Sequence, residues 1–132
     1  MIWAVVLLGL VGSFLFVRLA PSESVRWHVD VTRSADTDFQ GGAVRVIADA
    51  DDVLARLDEV ARITPRTTVL DGSVAAGHIT YVTRSAIWGF PDYTTVQRVD
   101  GQLRLFARLR FGQVDLGVNR ARLEAWLARV KS

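Results

Sequence analysis

The chain has 132 residues, of which 50% are hydrophobic and 23% charged, and its formal net charge is +2. This length and composition fit one domain with a short extra segment and exclude an intrinsically disordered chain. Cysteine is absent, which excludes disulfide scaffolds, thiolate metal sites, iron–sulfur clusters and cysteine nucleophiles.

An uncharged apolar run, 2–17, stands at the start of the sequence. As a helix it covers about 24 Å, and a snorkelling Arg18 extends it towards the roughly 30 Å hydrocarbon core of a bilayer. We predict a transmembrane anchor over residues 1–20. A cleaved signal peptide fits less well, because no basic residue precedes the run and cutting after Ala20 would put Arg18 at the −3 position. A buried core helix is disfavoured because the run has no polar stripe.

The sequence leaves open which side of the membrane the rest of the chain occupies. Arg18, Arg26 and Arg33 follow the run and no Lys or Arg precedes it. The positive-inside rule, taken literally, therefore puts the domain in the cytoplasm. Acidic residues alternate with these arginines and weaken the bias.

Residues 21–42 are predicted to be a linker, because the stretch is mostly polar and ends in Gly41-Gly42. Trp27 lies close enough to the membrane to anchor at its interface. His28 has no partner at metal-ligand spacing and is interpreted as a solvated or packing side chain.

Residues 43–132 are predicted to form the folded domain. Its first elements are a short strand over 44–48 and a helix that opens at Asp51-Asp52, where acids suit the helix dipole, and ends before Pro65. This helix has one apolar stripe, formed by Val53, Leu54, Leu57, Val60 and Ala61.

A β-rich stretch follows. Strands are predicted over residues 67–70, 77–84, 94–99 and 103–111. An Asp71-Gly72 turn joins the first two strands, and Asp100-Gly101 joins the last two with the strongest short hairpin signal in the chain.

The alternation of the last strand assigns its side chains to two faces. The inward set is Leu103, Leu105, Ala107, Leu109 and Phe111; the other face carries Arg104, Phe106, Arg108 and Arg110. A final helix over about 116–130 has an apolar face made of Leu123, Trp126, Leu127 and Val130. The fold class is therefore α+β: after the membrane helix, an antiparallel sheet of about four to five strands is packed by two helices.

Positive charge concentrates in the second half of the chain. Residues 21–83 carry six arginines against ten acidic residues, a net charge of −4. Residues 84–132 carry eight arginines and one lysine against four acidic residues, a net charge of +5. A guanidinium-rich half suits carboxylates, phosphates or lipid head groups, although arginine richness is also typical of a compositional bias. The small excess fits nucleic acid poorly.

The most distinctive stretch, residues 110–124, reads RFGQVDLGVNRARLE and joins the last strand to the last helix. Gly112 and Gly117 permit turns that other residues resist. Asp115 or Asn119 can cap the helix.

Arg120 and Arg122 stand in the first turn of that helix, where a cation opposes the helix dipole by about 0.3–1 kcal/mol. An internal ion pair with Asp115 or Asp92, or an anionic ligand, is expected to offset this cost.

These residues, together with the 88–92 segment WGFPD, resemble the signature of the DUF1499 family, an uncharacterised family of bacteria and plant plastids. The resemblance covers roughly residues 43–130. The family-type positions are Asp92, Arg110, Gly112, Asp115, Gly117, Asn119, Arg120 and Arg122. The chain has Asp92-Tyr93 where the family often has two adjacent acids. Some members of the family are anchored or exported. The resemblance to them implies a single-pass protein of a bacterial inner membrane with a periplasmic domain. It implies no reaction.

We expect a membrane-anchored binding or accessory module for an anionic or amphiphilic ligand, such as a lipid, or for a partner protein. The candidate binding residues are Asp92, Arg110, Asp115, Asn119, Arg120 and Arg122. No cofactor or metal is expected, because no histidine or acidic cluster has ligand spacing. A non-enzymatic role is favoured. The alternatives are a hydrolase that uses Asp92 and Asp115 as an acid–base pair and a purely structural assembly subunit.

Overall fold

The computed structural model describes residues 1–131, which form four helices and six strands. The helices are α1 (Ile2–Leu19), α2 (Ser24–Trp27), α3 (Val53–Ile63) and α4 (Val118–Lys131). The strands are β1 (Thr37–Phe39), β2 (Gly42–Ala48), β3 (Thr67–Ser73), β4 (His78–Arg84), β5 (Pro91–Val99) and β6 (Gln102–Leu109). The α+β class is confirmed. The sheet has one strand more than predicted, because β1 is a three-residue polar segment without alternation.

The six strands form one antiparallel sheet in the order β1-β2-β6-β5-β4-β3. The hairpin between β5 and β6 closes at Asp100-Gly101, as predicted. Both residues have positive φ, 51° and 77°, and this geometry suits the right-handed twist of the paired strands.

The predicted Asp71-Gly72 turn is wrong. β3 continues through both residues to Ser73, and the turn follows at residues 74–77. The pairing of β3 with β4 shifts register between Val69 and Asp71, and Gly72 has a φ of 87°. The glycine therefore serves a bulge inside the strand instead of a turn between strands.

Helices α3 and α4 cover one face of the sheet and form the core with it. The predicted inward residues found there are Leu54, Leu57, Ala61, Leu103, Leu105, Ala107, Leu123, Trp126, Leu127 and Val130. Two inward predictions for the last strand differ. Leu109 is only half-buried, and Phe111 lies beyond the end of β6, where its ring contacts Phe16 of α1 at a centroid distance of 6.2 Å.

The opposite face of the sheet is covered by residues 21–33, which we call the strap. The Trp27 ring stacks on Tyr93, with centroids 4.0 Å apart and planes 10° from parallel. The Val31 N–H donates to Gln97 Oε1 at 2.7 Å. Trp27, expected at the membrane interface, therefore lies on the sheet. Much of the stretch predicted as a linker packs in the same way; the division into anchor, linker and domain stays a prediction.

Antiparallel pairing gathers the chain connections at two ends of the sheet. We call the end that contacts α1 the near end; its connections are residues 40–41, 64–66, 85–90 and 110–117. The far end carries residues 49–52, 74–77 and 100–101. Helix α1 has a mean hydropathy of 2.3 and is long and apolar enough to span a membrane.

Candidate functional site

The distinctive stretch forms the near-end corner between β6 and α4, and Asp115 is its cap. Asp115 Oδ1 accepts a hydrogen bond from the Gly117 N–H at 2.9 Å, and Oδ2 accepts one from the Asn119 N–H at 3.0 Å. Leu116 and Gly117 turn the chain with φ of 55° and 78°. Of the two caps that the sequence left open, Asp115 fills the role, and its negative charge suits the start of a helix.

A polar network joins the start of β5 to the first turns of α4. Asn119 is fully buried; its Nδ2 donates to Asp92 Oδ2 at 3.3 Å, and its Oδ1 accepts from Arg122 Nη1 at 2.5 Å. Arg122 Nη1 lies 3.6 Å from Asp92 Oδ2, and both side chains are largely buried. The charge of Arg122 at the helix start is therefore offset inside the fold by an ion pair with Asp92.

Burial perturbs both members of this ion pair. It raises the pKa of Asp92, and the Arg122 guanidinium and the Asn119 amide oppose that rise. Burial also lowers the pKa of Arg122, against the attraction of Asp92. Both carboxylates of the hydrolase alternative thus accept hydrogen bonds within the fold, Asp115 from the backbone and Asp92 from Asn119.

The other two candidate residues lie apart from this network. Arg110 turns to the opposite face, where Nη1 donates to the Pro21 carbonyl at 2.8 Å and to the Tyr93 hydroxyl at 3.1 Å. Arg120 is 53% exposed and lies 3.8 Å from Asp38. The structure brings together Asp92, Asp115, Asn119 and Arg122, but not Arg110 or Arg120.

A buried cation under the strap was not singled out by the sequence. Arg108 is 7% exposed and donates to Thr95 Oγ1 at 2.8 Å and to the Trp27 carbonyl. Its guanidinium lies 4.6 Å from the Phe106 ring centroid. Burial lowers the pKa of Arg108 to about 10. Alternation placed Arg108 on the correct face, but the covering strap could be found only from the structure.

The near end carries a concentration of exposed apolar side chains. Outside α1, the exposed large apolar residues at this end are Phe39, Ile63, Ile87, Trp88, Phe90, Val114, Leu116 and Val118. Among residues 20–131, the remaining residue of this kind is Val25, which belongs to the strap. We call the eight near-end residues the apolar patch; exposed apolar side chains gathered at one end of a domain usually mark an interaction surface.

Aromatic rings connect this patch to α1. The rings of Phe14 and Trp88 meet edge to face at a centroid distance of 6.0 Å. Phe90 and Phe111 follow, with centroids 6.4 Å apart. Leu10, Ser13, Phe14 and Val17 of α1 line an open groove of about 250 Å³ together with Trp88 and Phe90.

An arginine pocket of about 290 Å³ adjoins the groove, lined by Arg18, Arg66, Thr68, Arg84, Ser85, Ala86 and Gly89. Arg18 Nη1 donates to the Ile87 carbonyl at 3.3 Å, and Arg84 Nη1 donates to the Gly89 carbonyl at 2.9 Å. Arg66 Nε donates to the Arg84 carbonyl at 3.0 Å. Within residues 1–131, none of the three arginines forms an ion pair with a carboxylate.

The arginine pocket could have been found from the sequence only through strand register. Thr67 pairs with Thr83, which sets Arg66 beside Arg84 at the entrance and exit of two neighbouring strands. Arg18 lies far away along the chain and joins them because α1 packs on the loop of residues 85–90. For metals, the described part of the chain, residues 1–131, holds no group of three His, Cys, Asp or Glu side chains that could bind an ion.

The comparison with protein families gives one match. The model described as "Protein of unknown function (DUF1499)" matches residues 21–130, which includes the strap and the sheet with both of its covering helices. No curated protein and no solved structure matches the chain. The chain belongs to the DUF1499 family.

Proposed function

We propose that this DUF1499 protein is a single-pass membrane-anchored binding module. In this proposal α1 spans the bilayer, the near end of the sheet rests on the membrane surface, and an anionic amphiphile binds there. We further propose a bacterial inner membrane, with the domain on the periplasmic side, as the resemblance to anchored or exported family members implies.

One observation carries the proposal: the exposed apolar residues lie at the same end, beside α1, as the arginines that form no ion pair with a carboxylate within residues 1–131. Ile87 is 74% exposed, Trp88 57% and Leu116 91%. Side chains of this kind are stable in the interfacial layer of a bilayer, where apolar parts leave water and aromatic rings are favoured. Arginines beside them suit anionic head groups.

The contact between Phe14 and Trp88 indicates how deeply the near end would enter the bilayer. Phe14 stands five residues before Leu19, the last residue of α1, which corresponds to about 7.5 Å along a helix axis. Interfacial apolar segments bury roughly 5–10 Å into the boundary between head groups and acyl chains. If α1 spans the bilayer, Trp88 therefore reaches the depth typical of such segments.

The distinctive stretch contributes to this function by shaping the near end. The Asp115 cap and the buried Asn119 fix the corner that projects Val114, Leu116 and Val118 outward. In the proposal, the distinctive stretch positions these side chains, and neighbouring residues contact the ligand. A partner protein on the same apolar surface is the second outcome that the experiment distinguishes.

The experiment is native mass spectrometry of the full-length protein, gently extracted from its membrane. We expect a retained anionic amphiphile, reduced at least several-fold in an Ile87→Ser/Trp88→Ser variant. Ala75→Ser/Ala76→Ser is the matched control, because both alanines are exposed and lie in a far-end connection. A bare protein, an adduct that both variants retain equally, or a bound polypeptide in place of an amphiphile would contradict the proposal.

The hydrolase alternative makes a different prediction. Asp92→Asn and Asp115→Asn would each abolish an activity while leaving the melting temperature unchanged. The structural alternative predicts a lower melting temperature and no other effect. Because Asp92 and Asp115 both accept hydrogen bonds that hold the corner together, we expect the melting temperature to respond.

A further inference from the structure

We infer that the arginine pocket binds the phosphate of an anionic phospholipid and that the adjoining groove along α1 holds one of its acyl chains. This inference rests on the proposed docking of the near end, and it names the ligand class and the residues. The pocket and the groove are two cavities with different chemistry that are lined by neighbouring residues of α1 and of the loop of residues 85–90, as one amphiphile requires.

The pocket has the chemistry of a phosphate site. Arg18, Arg66 and Arg84 converge on it without a carboxylate partner in residues 1–131. A guanidinium carries five N–H donors in a planar fork that matches phosphate oxygens. The hydrogen bonds that these arginines make occupy one N–H group of each. The remaining donors are available to an anion, and three adjacent cations without an anion repel one another.

Gly89 allows the close approach that the pocket needs. A Cβ at this position would lie 3.1 Å from Arg18 Cγ and 3.4 Å from Arg18 Nε. The backbone of Gly89 also has a φ of 70°, which favours glycine. Arg18 therefore lies directly on the loop of residues 85–90, and the membrane helix itself supplies one wall of the pocket.

The groove continues from the pocket into the apolar region. Val17 lines the groove and Arg18 the pocket, while Trp88 lines the groove and Gly89 the pocket. Both cavities therefore meet along the contact between α1 and the loop. The groove runs towards Leu10, deeper in the predicted span. A lipid with its phosphate on the arginines would lay an acyl chain against Phe14 and Trp88, which is the direction of the bilayer interior.

The charge of the pocket predicts which phospholipid binds. Three guanidinium groups attract a head group with net negative charge and repel the ammonium of phosphatidylcholine. Because basic residues near a membrane surface favour anionic lipids, we expect phosphatidylglycerol to bind at least about ten-fold more tightly than phosphatidylcholine.

The test titrates the full-length protein in mild detergent with each of these two lipids, and native mass spectrometry gives the apparent Kd. Arg66→Gln removes one exposed cation from the pocket. Thr68→Glu adds a carboxylate to an exposed pocket position without deleting a hydrogen bond shown there. Both variants are expected to lose most of the ten-fold preference for phosphatidylglycerol.

The controls match these changes in charge. Arg120→Gln removes another exposed near-end cation, which pairs with Asp38 and lines a different groove, and Ser34→Glu adds a carboxylate at an exposed position outside the pocket. Both are expected to keep the preference. A fluorophore on Ile87→Cys, in the full-length protein reconstituted in lipid nanodiscs, reports docking separately, because the natural sequence contains no cysteine.

The outcomes separate this inference from the proposed function. Suppose that the wild-type protein shows no lipid preference while the label on the Ile87→Cys variant lies in the bilayer. This result would overturn phosphate binding in the arginine pocket and leave docking intact. A label in water would contradict docking itself. Equal loss in Arg66→Gln and Arg120→Gln would reduce the effect to general charge. Glycerol 3-phosphate that displaces the lipid at equal concentration would make the pocket a site for soluble phosphate and overturn the assignment to a phospholipid.

Discussion

The connections at the far end of the sheet contain four acidic residues, Asp49, Asp51, Asp52 and Asp100, and no basic residue. The near-end connections contain Arg66 and Arg110 against Asp115, with Arg18 and Arg84 directly beside them. The exposed large apolar side chains of the domain follow the same division, since the connections at the far end have none of them. The two ends of the sheet therefore differ both in charge and in the number of exposed apolar side chains.

This contrast separates residues that the turns of the sheet require from exposed residues that the turns do not require. Turns in an antiparallel sheet need glycine and short polar residues, and the far end meets that need with Asp100-Gly101. The fold does not require Ile87, Trp88 or Leu116 at the opposite turns. An exposed apolar group lowers solubility and contributes no core energy, and the proposed docking of the near end on a membrane would give these side chains a role.

The largest expected effect is on the free energy of unfolding, and it appears when the ion pairs at the two ends of β5 are broken one at a time. At the near end, Arg122→Ala leaves Asp92 and Asn119 without their partner in a largely buried network, and we expect a loss of about 2–4 kcal/mol in the free energy of unfolding. At the far end, Arg98→Ala breaks the pair with Asp49, in which Arg98 is 46% exposed, and the loss should stay below about 1 kcal/mol. Urea denaturation of both variants checks this difference; equal losses would contradict it.

A smaller effect on stability is expected at the first residues of α3 and α4, the two helices that cover the sheet. Asp115 at the near end accepts two backbone N–H bonds, so Asp115→Ala should cost about 1 kcal/mol. Asp52 precedes α3 at the far end with a φ of 65° and no side-chain capping bond. Asp52→Gly should therefore raise stability by up to about 1 kcal/mol, because glycine adopts this conformation without strain. Thermal melting of both variants gives the two signs, and a stabilising Asp115→Ala would refute the capping role.

The smallest effect is a pH response of the strap, whose near and far parts are held differently. Near Pro21 the strap is held by Arg110 and Tyr93. Further along, His28 Nδ1 lies 2.7 Å from Thr80 Oγ1, and the His28 ring stacks on His78 at 3.9 Å.

Burial lowers the pKa of His28 below 6.5, and the positive charges of His78 and Arg108 add to this, against Asp71 and Asp30. The folded state therefore favours neutral His28. Its contribution to stability is complete above pH 6.5 and is lost as the pH falls from there towards the lowered value.

Hydrogen–deuterium exchange at pH 5.5 and 7.5, corrected for intrinsic rates, should show faster opening at residues 27–31 in acid. Little change is expected at Ala20, which precedes the near part of the strap and whose N–H donates to the Phe16 carbonyl at 2.7 Å. His28→Gln should remove the pH dependence. An acid response at Ala20 that equals the one at 27–31 would contradict this division of the strap.

Much of the fold could be predicted because it follows from local patterns. Alternation in β6 and the apolar face of α4 identified Leu105, Ala107, Leu123 and Trp126 as core residues, and Asp100-Gly101 marked the hairpin. Asp71-Gly72 has the same local signal but lies in a bulge, because the pairing partner of β3 decides between a turn and a continued strand. That information is not local.

The site was less predictable for the same reason. Asp92 and Arg122 were among the candidate pairs, and the structure brings them together because the β5–β6 hairpin sets Asp92 opposite Leu109, next to the corner that leads into α4. The arginine pocket needs the register of β3 with β4 and the packing of α1 on the loop of residues 85–90. Neither the strap nor the pocket leaves a periodic signature, since polar side chains meet polar backbone groups across distant segments.

The most direct test of the polarity of the domain uses the absence of cysteine in the sequence. Ile87→Cys at the near end and Ala75→Cys at the far end are each labelled with an environment-sensitive fluorophore in the full-length protein, reconstituted in nanodiscs that contain nitroxide-labelled lipids. We expect a blue shift and strong quenching at position 87 and neither at position 75. Equal quenching at both positions, or a position 87 label that remains in water, would contradict the proposal that the near end faces the bilayer.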